Sequence, residues 1–327
     1  MQSLLNDPQP ARNQASGMRV NALIQIAYGM SRDRSDPDFD CNDLRVSLGT
    51  TRDGVYQPAF SFANGDYTLV HAVVRGDVDL ASINPSGYLN MAYRGTGLFR
   101  EPAPVRVIAV MPTWDRMFFA VSERTGLTSL ADIAARKYPL RLSIRRSRAH
   151  GTRFLIDELL AVHGFSLRDL EAWGGRFTYV DTPNDPARTD AIRDATIEAV
   201  FDEGVKGWGF VAADHGMKLL DLDPRSRARL EELGWPVGPI RSHFPAYKED
   251  ITAVSFGGWP LFTREDLPEP AAYRMARALG EAMDRIVWDT DTPVQLPDLC
   301  VGTDAAPRDV PLHPGAARYY REKGCPV

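Results

Sequence analysis

No stretch of this 327-residue chain stays apolar long enough to cross a bilayer as a helix, so direct membrane insertion is not expected. Basic residues are no excess either. The 38 Lys and Arg stand against 43 Asp and Glu, for a net charge of −5, which leaves no broad cationic face for nucleic acid or a membrane surface. Cysteine is scarce and odd in number. Cys41, Cys300 and Cys325 are widely spaced, lack metal-ligand spacing and fit a reducing compartment, although a Cys41–Cys300 bridge stays open. Of the 6 histidines, His71, His163 and His215 fall on expected helices without a partner at ligand spacing, so no metal is expected. A glycine-rich dinucleotide fingerprint, a P-loop and a nucleophile–base pair are also missing. These gaps argue for no cofactor.

The N-terminal residues 1–43 read as an extension carrying one short helix. Residues 1–17 (MQSLLNDPQPARNQASG) have no apolar core, and residues 18–30 are interrupted by Asn21 and Gln25, which suits an amphipathic helix better than a signal sequence. The sequence as it stands therefore reads as cytoplasmic, and it would read as periplasmic if a leader had been removed ahead of Met1.

What is present is an ordinary globular composition, 44% hydrophobic and 25% charged, in a chain longer than single cores usually grow. Two lobes are the default. Strand and helix signals alternate: strand 44–48, a polar turn at 49–54, helix 55–63, helix 68–75, strand 78–83, helix 85–94, and strand 105–111 with 117–121 as its partner. They continue as strand 140–144, helix 152–162, strand 177–180, helix 188–195, strand 199–201, helix 204–213, strand 217–220 and helix 224–233. Strand 251–256 and helix 269–287 follow.

This order predicts the α/β class, with two doubly wound lobes built on parallel sheet: residues 44–124 with 251–327, and residues 125–250. The chain crosses between them twice, near 122–128 and 248–256, which makes a hinge.

Ligands in open α/β sheets gather at the carboxyl ends of strands, beside the helix N-termini that follow. Those ends here are Thr50, Thr51, Arg52 and Asp53; Asn84, Pro85 and Ser86; Thr113, Trp114 and Asp115; and Asp202, Glu203 and Gly204. The fullest is RLSIRRSRAHGT, residues 141–152, in which a strand runs through Arg145, Arg146, Ser147, Arg148 and His150 to Thr152 at a helix start. Unpaired N–H groups, the helix dipole and the arginines there suit a carboxylate or phosphate. Trp114 or Tyr56 could supply an apolar wall, with the alternative that Trp114, Trp208 and Trp259 are core packing. Asp202 and Glu203 read equally as caps of the helix from Gly204 or as ligand contacts. His313 reads as structural, opening the final helix.

The terminal run VPLHPGAARYYREKG (residues 310–324), the Gly-Thr turn after the first strand and the Asp-Leu-Ala-Ser-Ile-Asn strand end resemble the TAXI group of solute-binding proteins that serve TRAP-type transporters. That group belongs to the bilobed, type II periplasmic-binding-protein-like superfamily, and the resemblance covers roughly residues 44 to 324. It implies two α/β lobes closing on one small anionic, carboxylate-bearing ligand, and TRAP membrane subunits as a partner. Carried over position by position, its ligand loops fall on residues 50–54, Asn84–Ser86, the Arg145–Thr152 turn and Asp202–Glu203. The chain departs from the group in the bulkier, more basic RRSRAHGT turn and in Glu203-Gly204 after Asp202.

Two functions remain. One is a binding protein, with ligand contacts from Thr50, Thr51, Arg52, Asn84, Ser86, Trp114, Arg145, Ser147, His150, Thr152, Asp202 and Glu203. The other is a cytoplasmic decarboxylase or lyase on the same fold, with His150 or Glu203 as general acid or base and Arg145 as anion clamp.

Overall fold

The computed structural model describes Ile24 and residues 44–53, 55–240, 244, 246–247, 251–288, 290 and 292–327. The chain divides into two units, Met1–Ser82 and Ile83–Val327.

In the first unit, strands β1 (Leu44–Arg52) and β2 (Val55–Gly65) form an antiparallel hairpin in register from Leu44 opposite Asn64 to Arg52 opposite Val55. Residues 55–63, expected to be a helix, are therefore strand. Asp53-Gly54 is a strong two-residue hairpin signal, and Asp53 takes the positive φ of 52° that such turns require. The register shifts between Leu48 and Gly49, opposite Pro58, which has no N–H to give to a ladder. Helix α1 (Leu69–Val74) and strand β3 (Leu80–Ile83) follow, close to expectation. Val70, Val73, Val78 and Ala81 are buried. The β2–α1–β3 turn is tied by Ser61 N–H, which donates to Asp79 Oδ2 at 2.8 Å.

The second unit opens with helix α2 (Ser86–Arg94), which ends at Gly95 in the left-handed region. Strand β4 (Val105–Met111) pairs antiparallel with β12 (Trp259–Arg264). Strand β5 (Arg116–Ser122), expected beside β4, belongs to the other sheet, where it is buried along its whole length. Its run of apolar residues fits a central strand but says nothing about which neighbour it takes.

That second sheet also holds β6 (Arg141–Arg145), β7 (Arg176–Val180), β8 (Ala199–Asp202), β9 (Met217–Leu219), β10 (Val237–Pro239) and β11 (Thr252–Ser255). Strand β6 runs parallel to both β7 and β8, whereas β8, β9 and β11 are antiparallel to β5. The molecule is thus α/β with two sheets and helices between strands, as the alternating signals predict. Helices α3 (Leu130–Arg136), α4 (Gly151–Val162), α5 (Leu167–Ala172), α6 (Pro186–Arg193), α7 (Val205–Asp214) and α8 (Pro224–Leu233) connect the strands. Of these, α3 and α5 were not read from the sequence, because six or seven residues give too few turns to show a period.

Helix α9 (Glu269–Gly280) stops earlier than the expected residue 287, and a 3₁₀ turn at Met283–Arg285 follows. Helix α10 (Pro314–Glu322) is started by His313, whose Nδ1 accepts the Gly315 N–H at 3.2 Å. That is the structural role expected of this histidine. Trp208 is also core, fully buried among Phe118, Val200, Ile240 and Phe244. Among the described residues no helix is long and apolar enough to cross a membrane.

Candidate functional site

Arg145 and Asp202 are the last residues of β6 and β8, which run parallel with Ser143 opposite Val200. The register brings both side chains to one carboxyl edge. There Arg145 Nε meets Asp202 Oδ2 at 2.8 Å, Nη1 donates to Asp181 O at 2.6 Å, and Nη2 pairs with Glu203 Oε1. Its guanidinium is thus occupied from three sides. A second arginine, Arg188 of α6, reaches the same carboxylate: Nη1 lies 2.6 Å from Asp202 Oδ2, and Nε donates to Ser143 Oγ at 3.0 Å. Arg188 also faces the Trp208 ring, with its guanidinium carbon 5.9 Å from the centroid. Burial pushes the Asp202 carboxyl up, against the opposing pull of Arg188 and Arg145. Burial likewise lowers the Arg188 guanidinium from its usual value.

The turn after β8 is held from β5. Asp115 Oδ1 accepts the Gly204 N–H at 3.0 Å, so a carboxyl from one strand end caps the helix that follows another. Gly204 has φ 66°, and a Cβ there would lie 2.4 Å from Pro183 Cγ, so only glycine serves. Asp115 also shares a hydrogen bond with Glu203. Burial first, and then the Glu203 charge, hold the Asp115 carboxyl well above the carboxylate range. Trp208 Nε1–H closes the arrangement by donating to Glu203 O at 3.0 Å.

On the near side stands the start of α4. His150 is its N-cap, and the ring Nδ1 lies 3.0 Å from Thr152 Oγ1 and 3.4 Å from Thr152 N. Nε2 lies 3.8 Å from Glu203 Oε1, on a half-buried side chain. Burial and the neighbouring Arg145 lower the imidazole pKa, which favours the neutral ring. Arg153, one turn in, donates from Nη1 to Arg145 O at 3.0 Å. Helix α2 approaches the same end, because a Cβ on Gly151 would lie 2.5 Å from the Tyr88 hydroxyl.

The structure therefore brings together Arg145, His150, Thr152, Asp202 and Glu203. Ser147 is exposed, and its carbonyl accepts the His150 N–H at 3.3 Å. Trp114 is half-buried against the core, with the Arg116 guanidinium carbon 5.3 Å from its ring. Ser86 is buried and donates to Gly258 O at 3.0 Å, whereas Asn84 is exposed. Thr50, Thr51 and Arg52 lie on β1, and their side chains, like that of Tyr56, are outside the described residues. Asp115 was marked only as a strand end, and Arg188 was missed. A polar helix such as PARTDAIR gives no sign that one of its arginines turns inward.

Comparison with known proteins follows from this geometry. Residues 60–324 match the model of a family described as NMT1-like. The chain belongs to the NMT1-like family. This NMT1-like chain matches no curated protein. Among solved structures it is similar to the alkanesulfonate-binding protein SsuA from Xanthomonas axonopodis pv. citri bound to MOPS, at 16% identity over 67% of this chain and 61% of that one, TM-score 0.30. A protein of Xanthomonas citri bound to chloride ion, XAC2383, is 13% identical over 79% of this chain and 80% of its own, TM-score 0.40. The glycine betaine/L-proline-binding protein ProX from Borrelia burgdorferi is 13% identical over 60% of each chain, TM-score 0.34. The NMT1-like chain spans about three fifths of the length of the SsuA structures it matches. Among the described residues no group of His, Cys, Asp and Glu is placed to hold a metal ion.

Proposed function

We propose that this chain is a solute-binding protein of the TAXI group, serving the membrane subunits of a TRAP-type transporter, and that it captures a small carboxylate-bearing ligand. The proposed cleft lies between two lobes, residues 44–124 with 251–327 and residues 125–250, which close by a hinge. Membership of the NMT1-like family and the terminal run at residues 310–324 support the class. Such a receptor works in the periplasm.

The observation that carries the ligand reading is the half-buried His150 at the N-terminus of α4. With Nδ1 turned to Thr152, a neutral imidazole carries its proton on Nε2 and is a donor at the positive end of a helix. A ligand carboxylate accepts that proton at the positive end of the helix. Arg145 works from behind. Its guanidinium holds Asp202 and Glu203 in place, so these carboxylates do not repel the incoming anion as bare charges.

Calorimetric titration with a panel of small mono- and dicarboxylates tests this. His150→Ala is expected to weaken the best binder by about 1.5–3 kcal/mol, the worth of one hydrogen bond to a charged group. Equal affinity in the folded variant would remove His150 from the site.

A second reading, a decarboxylase or lyase acting on a small acid, has one observation behind it. Burial and the Glu203 charge hold the Asp115 carboxyl well above its ordinary value, and Glu203 in turn lies 3.8 Å from His150 Nε2, which is the kind of environment that poises a general acid or base. Recovering the acid after long incubation separates the two readings. A receptor returns it unchanged, and an enzyme returns it short of carbon dioxide or water.

A further inference from the structure

The sequence showed Cys300 and Cys325 only as widely spaced and left a Cys41–Cys300 bridge open, yet the fold makes Cys300 and Cys325 neighbours. Cys300 ends a 3₁₀ turn, Leu296–Leu299, and Cys325 follows the last helix α10 by way of Gly324. Both are buried, at 1% and 6% exposure, and the Cys325 thiol is a close enough neighbour to act on that of Cys300. Each is held by its own turn. Cys300 Sγ donates to Pro297 O at 3.4 Å, and Cys325 N–H donates to Tyr320 O at 2.9 Å. The two segments are fixed to β4, where Val107 N–H donates to Pro311 O at 3.0 Å and His313 N–H to Val107 O at 2.8 Å. Tyr319 and Tyr320, buried on α10, anchor the helix between them.

We propose that Cys300 and Cys325 are a disulfide-forming pair that staples the C-terminal turn to the body of the protein. In the presence of a low-molecular-weight disulfide the two thiols become one S–S bond by exchange. Both thiol protons and two electrons pass to the oxidant, which leaves as two thiols. The bridge closes a loop of about 25 residues and removes that freedom from the unfolded chain.

Reactivity follows from burial. Burial, with the adjacent Cys325, pushes the Cys300 thiol up to about 12, so thiolate is scarce in the folded protein. The pair therefore closes during folding, or when the last turn opens, rather than by direct attack from solvent.

The test uses the full chain, refolded once with reduced and oxidised glutathione and once with a phosphine reductant. Free thiols are alkylated under denaturing conditions, and the protein is then mapped by non-reducing peptide mass spectrometry. The expected result is one linked peptide pair containing Cys300 and Cys325, with Cys41 alkylated. The oxidised protein should melt several degrees above the reduced one, by about the shift a single such loop gives. Cys41→Ser should keep that difference, and Cys325→Ser should abolish it. A Cys41–Cys300 pair, or full alkylation of Cys300 and Cys325 after oxidative refolding, overturns the proposal. Mapping of the unsubstituted chain decides the matter even if Cys325→Ser fails to fold.

Discussion

Arg188 Nη1 lies 2.6 Å from Asp202 Oδ2, and both side chains are at 0% exposure. A charge pair this far from water is held by geometry, since each partner has lost its hydration and Arg145 shares the same carboxylate. Arg188→Ala leaves Asp202 with one cation and a void beside Trp208. The expected cost is about 3–5 kcal/mol of folding stability, read from urea unfolding, as for other broken buried pairs. A loss below about 1 kcal/mol would show that the cluster is dispensable for the fold.

The Asp115–Glu203 contact predicts a pH dependence of known sign. Asp115 has a folded pKa raised above its ordinary value of 3.8, so between 3.8 and the raised value the native state binds more protons than the unfolded chain. Its contribution is therefore fully present below that window and is lost as pH rises through it. His150 has a lowered pKa, so its neutral form favours the native state above 6.5, and that contribution fades as pH falls through the lowered value. Asp115→Asn keeps an acceptor for the Gly204 N–H while removing the titration. Stability measured by denaturant at a series of pH values should fall less steeply above pH 3.8 in this variant, and parallel curves for the two proteins would contradict the assignment.

Gly151 and Tyr88 predict a steric couple. A methyl group at Gly151 would sit 2.5 Å from the Tyr88 hydroxyl, at the start of α4. Gly151→Ala should cost about 1–3 kcal/mol through overpacking, and adding Tyr88→Phe should recover part of it by taking the hydroxyl away. Thermal unfolding of the two single variants and the double variant measures the coupling. Strict additivity would mean that the two side chains do not meet.

Much of this was legible in the sequence. The units from residue 140 onward showed as alternating periods because each short apolar strand leads into a helix with its own start signal, such as Asp223-Pro224 or Asp185-Pro186. Residues 55–63 were misread because all of 49–54 was taken as a polar turn, whereas only Asp53-Gly54 is the middle of a hairpin. The partner of residues 117–121 was misjudged because periodicity reports burial, not adjacency.

The strand-end rule found Arg145, His150, Asp202 and Glu203 together, since their positions follow from chain direction alone. It could not show that Arg145 is already paired. Whether an arginine is a free anion clamp or the counter-charge of a buried carboxylate depends on tertiary register, here the parallel alignment of residues 141–145 with 199–202. Arg145→Ala is accordingly expected to act on folding before it acts on affinity.

The central claim is capture of a small carboxylate, and native mass spectrometry of the protein as purified from cells tests it most directly. The account predicts a fraction of molecules heavier by one small acid, which is released on unfolding and is chemically unchanged, and whose return restores the mass shift and closes the protein in solution scattering. A protein that carries no such molecule, and takes up none from a panel of small carboxylates at millimolar concentration, would contradict it.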